Sequence, residues 1–210
     1  MAIVAALLSC SAALAQNATG GGDDSDWWSM TRGVDGADIE PQKRLPADSN
    51  FSILGVALGD SQFVQVGARL GTASQVIRGD ASTGRTQACY VSSNSSPQVH
   101  LVFEQGEVDY AFYLFSGGPD WQHSELCKKS STISSRLKTG SGLALRQTRS
   151  QVEAILGKPT AVQANTLIYF DQVHIEPRDH STPYDLTTYI EARFADGKLN
   201  YLGVMKSETD

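Results

Sequence analysis

The residues best equipped for chemistry stand in VHIEPRDH, 173–180, which gathers His174, Glu176, Asp179 and His180 in one short run. Imidazole nitrogens and carboxylate oxygens are the donor set that zinc favours. If 173–176 is a strand, His174 and Glu176 share a face, and a bend at Pro177 can bring His180 back toward them. The run lacks the HExxH spacing of a helical zinc site, so its competing reading is a polar excursion between two strands. That bland reading is the expectation: His174, Glu176, Asp179 and His180 are the metal candidates, and no metal or other cofactor is expected. A second set, His123, Glu125 and Cys127 in WQHSELC, alternates in the same way. It loses its thiolate if Cys127 is oxidised. No serine occupies a GxSxG elbow, and no glycine loop cradles a phosphate. No catalytic residue is therefore expected.

The elements that must position such residues are more legible. TRSQVEAILGKPT, 148–160, reads as a short helix. Thr148 is the N-cap and Gln151 completes a capping box. Val152, Ile155 and Leu156 form one apolar stripe. Gly157 and Pro159 end the helix. GDSQFVQVGARLGTAS, 59–74, is a weaker copy, with Phe63, Val66 and Leu70 in the stripe and Gly67 costing about 1 kcal/mol relative to Ala.

Downstream of each helix comes the same pattern. FEQGEVDY, 103–110, aligns with FADGKLNY, 194–201: Phe103, Gly106, Val108 and Tyr110 match Phe194, Gly197, Leu199 and Tyr201. Alternating apolar residues around a central Gly describe a hairpin with one buried face. QACYVSS, 87–93, and TLIYFDQVHIE, 166–176, add one further strand to each copy. The expected fold class is α+β. It comprises two tandem helix–strand–strand–strand repeats, 51–141 and 142–210, each with a short helix packed on an antiparallel sheet. A helix this short cannot persist alone in water, so its stripe must pack on that sheet.

LALRQTRSQVEAILGKPT, YF and ARFADGKLNYLGV together resemble the repeat shared by outer-membrane assembly lipoproteins of the BamE/SmpA type and the β-lactamase inhibitory proteins. The likeness covers 142–205 well and 53–116 loosely, and its motifs are scaffold positions. The family's Gly-Met before the helix is Leu145-Arg146 here, and Leu58-Gly59 in the first copy. The resemblance implies a non-enzymatic exported module that binds other proteins, with no binding residue carried over.

The N-terminus agrees with export. MAIVAALLSCSAALAQ has an apolar run and the small-x-small pattern Ala13-Leu14-Ala15 ahead of Gln16, which reads as a signal peptide over 1–15. It is too short to span a bilayer. Leu7-Leu8-Ser9-Cys10 also resembles a lipobox, so the rival reading is an outer-membrane lipoprotein anchored through Cys10, the one route by which this chain would contact a membrane. Export leaves Cys89 and Cys127 in an oxidising compartment, where two cysteines most often pair. The closed loop would contribute about 3–4 kcal/mol in the chain-entropy model.

Residues 16–50, rich in Gly, Asp and Ser, read as a flexible polar linker. Trp27-Trp28 interrupts it, either packing on the folded body or anchoring a partner. Arg78-Gly79-Asp80 spells an adhesion tripeptide but is ordinary turn chemistry. Asn17, Asn50 and Asn94 head glycosylation sequons. The 210 residues carry a net charge of −6 with no basic stripe, which argues against nucleic-acid binding. The expected function is a periplasmic or secreted module that binds an unidentified protein partner, in envelope assembly or as an inhibitor. The rival from a different class is a metal-dependent enzyme using the His174–His180 cluster.

Overall fold

The computed structural model describes residues 39–78, 84–117, 126–177 and 182–209. After a 3-10 turn, Asp48–Phe51, the elements are β1 (Ser52–Ile53), β2 (Val56–Ala57), α1 (Gln62–Leu70), β3 (Gln75–Arg78), β4 (Arg85–Ser92), β5 (Val99–Gln105) and β6 (Asp109–Ser116). Then come β7 (Lys128–Ser130), α2 (Arg149–Leu156), β8 (Ala161–Gln163), β9 (Thr166–Ile175), β10 (Tyr184–Ala195) and β11 (Lys198–Thr209). Strands β1 and β2 pair with each other. The other nine form one sheet in the order β3-β4-β5-β6-β11-β10-β9-β8, with β7 beside β4. Every pairing in it is antiparallel except that of β4 with β7.

The expected α+β class does not hold. The chain is mostly strand, and among the described residues its two α-helices are the nine-residue α1 and the eight-residue α2. Nor does the helix–strand–strand–strand repeat describe either half. Short β3 and β8 extend each half to a four-stranded run, and β6 pairs with β11 over Asp109–Phe115 and Tyr201–Ser207. That pairing removes the boundary between the halves and gives one continuous sheet. The hairpins also differ from expectation. Strands β5 and β6 are buried on both faces over Val99–Glu104 and Tyr110–Phe115, because their alternate residues pack into the main core on one face and into a second apolar cluster with Cys127 on the other.

One face, here the helical face, carries the main core. Val66 and Leu70 of α1 and Val152 and Leu156 of α2 pack with Leu101, Phe103, Phe112, Leu114, Ile190, Leu202 and Val204. Burial at this scale stabilises by roughly 1.5–3 kcal/mol for each large apolar side chain. Gln62, buried at the start of α1, donates from Nε2 to the Glu104 carbonyl at 2.6 Å and ties that helix to β5.

Helix α2 starts and stops as its sequence dictates. Gln151 N–H donates to Thr148 Oγ1 at 3.3 Å, and Thr148 N–H donates to Gln151 Oε1 at 2.8 Å. Gly157 ends it at φ 81°, a left-handed conformation,. Arg44 Nη1 donates to the Leu156 carbonyl at 3.0 Å, placing a cation at the negative end of the helix dipole. Residues 39–50 therefore do more than tether. Gln42 exchanges backbone hydrogen bonds with Phe170 and Gln172, so a short stretch of this segment covers the outer edge of β9.

Replacing Thr148 with Ala should lower unfolding free energy by about 1 kcal/mol in urea melts, because one cap acceptor is lost while Gln151 is stranded.

Candidate functional site

On the opposite, far face of the sheet, register places charged and aromatic side chains in rows across the strands. One row runs Gln87, Glu104, Ala111, Met205, Tyr189, Phe170. The next runs Cys89, Val102, Tyr113, Gly203, Glu191, Ile168, and a third runs Val91, His100, Phe115, Tyr201, Arg193, Thr166. The apolar members include Cys89, Val102, Tyr113, Phe115 and Tyr201. Cys127 joins them through its disulfide to Cys89.

Two acid–base pairs flank the aromatic centre. Arg85 donates to Glu104 Oε1 at 2.6 Å and to Asp109 Oδ2 at 3.3 Å. Glu104 Oε2 accepts from Gln87 at 3.0 Å and from Tyr113 Oη at 3.3 Å. Across the sheet, Arg193 Nε donates to Glu191 Oε1. The Arg193 guanidinium lies 4.4 Å from the centroid of the Tyr201 ring, a cation–π contact. Tyr113 and Tyr201 stack at 6.5 Å between the two pairs.

Burial sets the protonation chemistry. It pushes the carboxyls of Glu104 and Glu191 above their ordinary range, although Arg85, Gln87 and Tyr113 pull Glu104 back and Arg193 pulls Glu191 back. Burial first, then the nearby carboxylates, hold the phenols of Tyr113 and Tyr201 well above 10. His100 stacks on Phe115 at 4.9 Å, and burial lowers it from 6.5 to about 4.

The two glutamates sit on β5 and β10 with β6 and β11 between them, about 14 Å apart across the strands. Paired carboxylates for glycosyl transfer stand roughly 5–10 Å apart. The belt is therefore two separate salt bridges joined by aromatics, with the two acids too far apart to pass a proton directly between them. The two described surface clefts lie elsewhere. One is beside α1 at Phe63, Gln75 and Thr86, and the other runs under Arg44, Pro46 and Ile155; neither holds a belt residue.

The sequence candidates fare differently. His174 is exposed on β9, where its Nδ1 meets Asp185 Oδ1 of β10 at 2.8 Å. Glu176 lies just beyond the strand, and Asp179 and His180 lie outside the described residues, as do His123, Glu125, Trp27, Trp28, Asn17, Gly79 and Asp80. Among the described residues no three metal-capable side chains gather. Asn50 is buried and Asn94 exposed.

Sequence reading missed the belt. Its signal was present: Glu104 ends a run of apolar strand residues, and Tyr189, Glu191 and Arg193 alternate along β10. That alternation looks like a solvent-facing side until Glu191 is seen to be buried beside Tyr201 and Arg193. Comparison with family models, curated proteins and solved structures finds no match to this chain.

Folding keeps His100 neutral where the unfolded chain would protonate it, so its contribution to stability is present above pH 6.5 and is lost as pH falls toward about 4,. Glu104 and Glu191, held above 4.5, act in the opposite sense, taking up protons in the fold first and gaining stability as pH falls toward 4.5,. His100→Phe should therefore remove about 1–2 kcal/mol of the acid loss between pH 6.5 and 4.5, measured by urea melts across that range. An unchanged slope would show that His100 does not titrate on unfolding.

Proposed function

We propose that this chain is an exported, non-catalytic module that binds another protein through the far face of its sheet, in envelope assembly or as an inhibitor. The observation that carries the reading is the half-buried rim of the belt: Phe170 and Tyr189 with Arg85 and Arg193, both arginines already ion-paired with a buried glutamate, above the buried rings of Tyr113 and Tyr201. Tyrosine and arginine dominate the energetics of protein interfaces. Side chains held in place beforehand lose less entropy on binding.

Export is supported by the apolar N-terminal run with its small-x-small pattern before Gln16. The Cys89–Cys127 disulfide suits an oxidising compartment,. The BamE/SmpA-like and inhibitor-like motifs at 142–205 lean the same way. Anchoring through Cys10 is the alternative mode of export. Intact mass of the exported chain separates the two, since release at Gln16 and diacylglycerol on Cys10 give different termini.

Phe170 and Tyr189 make an edge-on pair at 6.3 Å on the half-buried rim of the belt. A Phe170→Ala/Tyr189→Ala double variant should remain folded, with a lowered melting temperature, and lose at least about 10-fold of the partner captured from native exported fractions. The hairpin-tip variant Lys198→Ala should retain it. Equal capture by both variants would remove the far face as the binding surface.

A further inference from the structure

Beyond the short edge strand of each half, one further segment clips onto the sheet and lays a cation at the end of the helix. In the first half the clip is β7, which pairs with β4 over Tyr90–Ser92. Its Lys128 Nζ donates to the Thr72 carbonyl, just past α1, at 3.1 Å. In the second half it is the segment around Gln42. There Arg44 donates to the Leu156 carbonyl at 3.0 Å and to Asp171 Oδ2 at 3.2 Å. The two clips are held differently. Strand β7 pairs over three residues and follows Cys127, which the disulfide fixes to Cys89. The other clip pairs through Gln42 alone.

The edge under Gln42 offers more than this clip uses. Gln42 N–H donates to the Phe170 carbonyl at 2.8 Å, and its carbonyl accepts from Gln172 N–H at 2.9 Å. Backbone groups alternate sides along a strand. The Gln172 carbonyl and the His174 N–H therefore face the same outer edge, where they meet no backbone partner among the described residues. In the other direction the edge is closed, because Thr160 engages the Ile168 carbonyl through its N–H and the Phe170 N–H through Oγ1. The clip leaves β9 after Gln42 because it must turn over 43–47 to reach the 3-10 turn at Asp48. Pro46, in phase with Gln42 and Arg44, also has no N–H to give,. Gln172 and His174 are exposed, so the open stretch is reachable from solvent.

Resting on the far-face reading above, we infer that the outer edge of β9 from Phe170 to His174 is a strand-addition site, where an extended segment of the protein partner pairs and displaces Gln42. In this mode main-chain hydrogen bonds supply the affinity. An untethered segment takes over both bonds of Gln42 and adds those to Gln172 and His174, four backbone bonds where the clip makes two. It carries Arg or Lys two residues past the one opposite Asp171. That cation replaces Arg44 at a carboxylate only 3% exposed, which is costly to leave unpaired. A second copy of this chain gains nothing by exchanging clips, since its 41–47 has the same Pro46 and the same tether to the 3-10 turn.

The full exported chain and a synthetic peptide test this. The peptide spans 39–47 with Pro46→Thr, which keeps Gln42 and Arg44 and restores the missing N–H. In amide NMR titrations it should shift Gln172 and His174 of a Gln42→Pro chain, whose own clip cannot donate to Phe170. It should bind the wild-type chain about 10-fold or more weakly, because the tethered clip competes at a roughly millimolar effective concentration. N-methylation of the peptide at Gln42, or Arg44→Ala in it, should each cost about 10-fold in affinity. In the wild-type chain, native-state hydrogen exchange should show Gln42 and Gln172 opening well below the free energy of global unfolding. A peptide that shifts neither edge amide overturns the inference, as does equal binding by the N-methylated peptide or opening of Gln42 only with the whole sheet. A wild-type dimer in sedimentation that Gln42→Pro abolishes would overturn the assignment to a partner. Partner capture lost in the Phe170/Tyr189 variant, together with a peptide that does not bind, would overturn this site and leave the far-face reading standing.

Discussion

The antiparallel pairing of β6 with β11 is the contact on which the rest of the structure depends. It joins Phe115 to Tyr201 and Asp109 to Ser207 across residues far apart in the chain. On the helical face it sets Leu114 beside Leu202 and Phe112 beside Val204, in the middle of the core. On the far face it sets Tyr113 beside Gly203 and Phe115 beside Tyr201. Without it, each half would be a four-stranded run under one short helix, too small to bury its own apolar surface well. The belt would also lose its centre, because Arg85–Glu104 and Arg193–Glu191 belong to opposite halves.

The far face is costly by the ordinary standards of a sheet. Buried ion pairs often contribute less than well-packed apolar residues of the same volume. This face keeps two of them, with three tyrosines among them. The β4–β6 half meets that cost with a complete set of hydrogen bonds around Glu104. Each half still keeps a buried oxygen without a hydrogen bond: Gln87 Oε1 on β4, and Glu191 Oε2 and Tyr201 Oη on β10 and β11. Gly203 has no side chain to pack, and a Cβ there would come within 2.8 Å of Tyr201 Oη, so its backbone makes room for the phenol.

What the sequence made legible was local. The Thr148–Gln151 capping box, the Val152 and Leu156 stripe and the Gly157 stop all depend on residues within one helix, and each is found in the structure. The strand runs of β4, β5, β9 and β10 were likewise visible, the hairpins from alternation around Gly106 and Gly197 and the others as the further strand of each copy. The α+β class failed because it gave the helices equal weight with the strands, whereas they are nine and eight residues long beside a nine-stranded sheet. Short β3 and β8 carry too few residues to show periodicity, and no local pattern announces that β6 will meet β11. The belt was hidden for the same reason: Tyr189, Glu191 and Arg193 look like a wet side when the far face is unknown. The metal candidates illustrate the converse. His174 was conspicuous in sequence, but cross-strand register gives it Asp185 as its partner.

The claim that matters most is that the two halves form one cooperative sheet, since both faces and the belt follow from it. Native-state hydrogen exchange of the disulfide-intact protein tests it directly. Amides of β6 and β11 should be among the slowest and should exchange through the same opening, with one free energy equal to that of global unfolding. Two separate openings, one protecting β4–β6 and another protecting β9–β11, would contradict it.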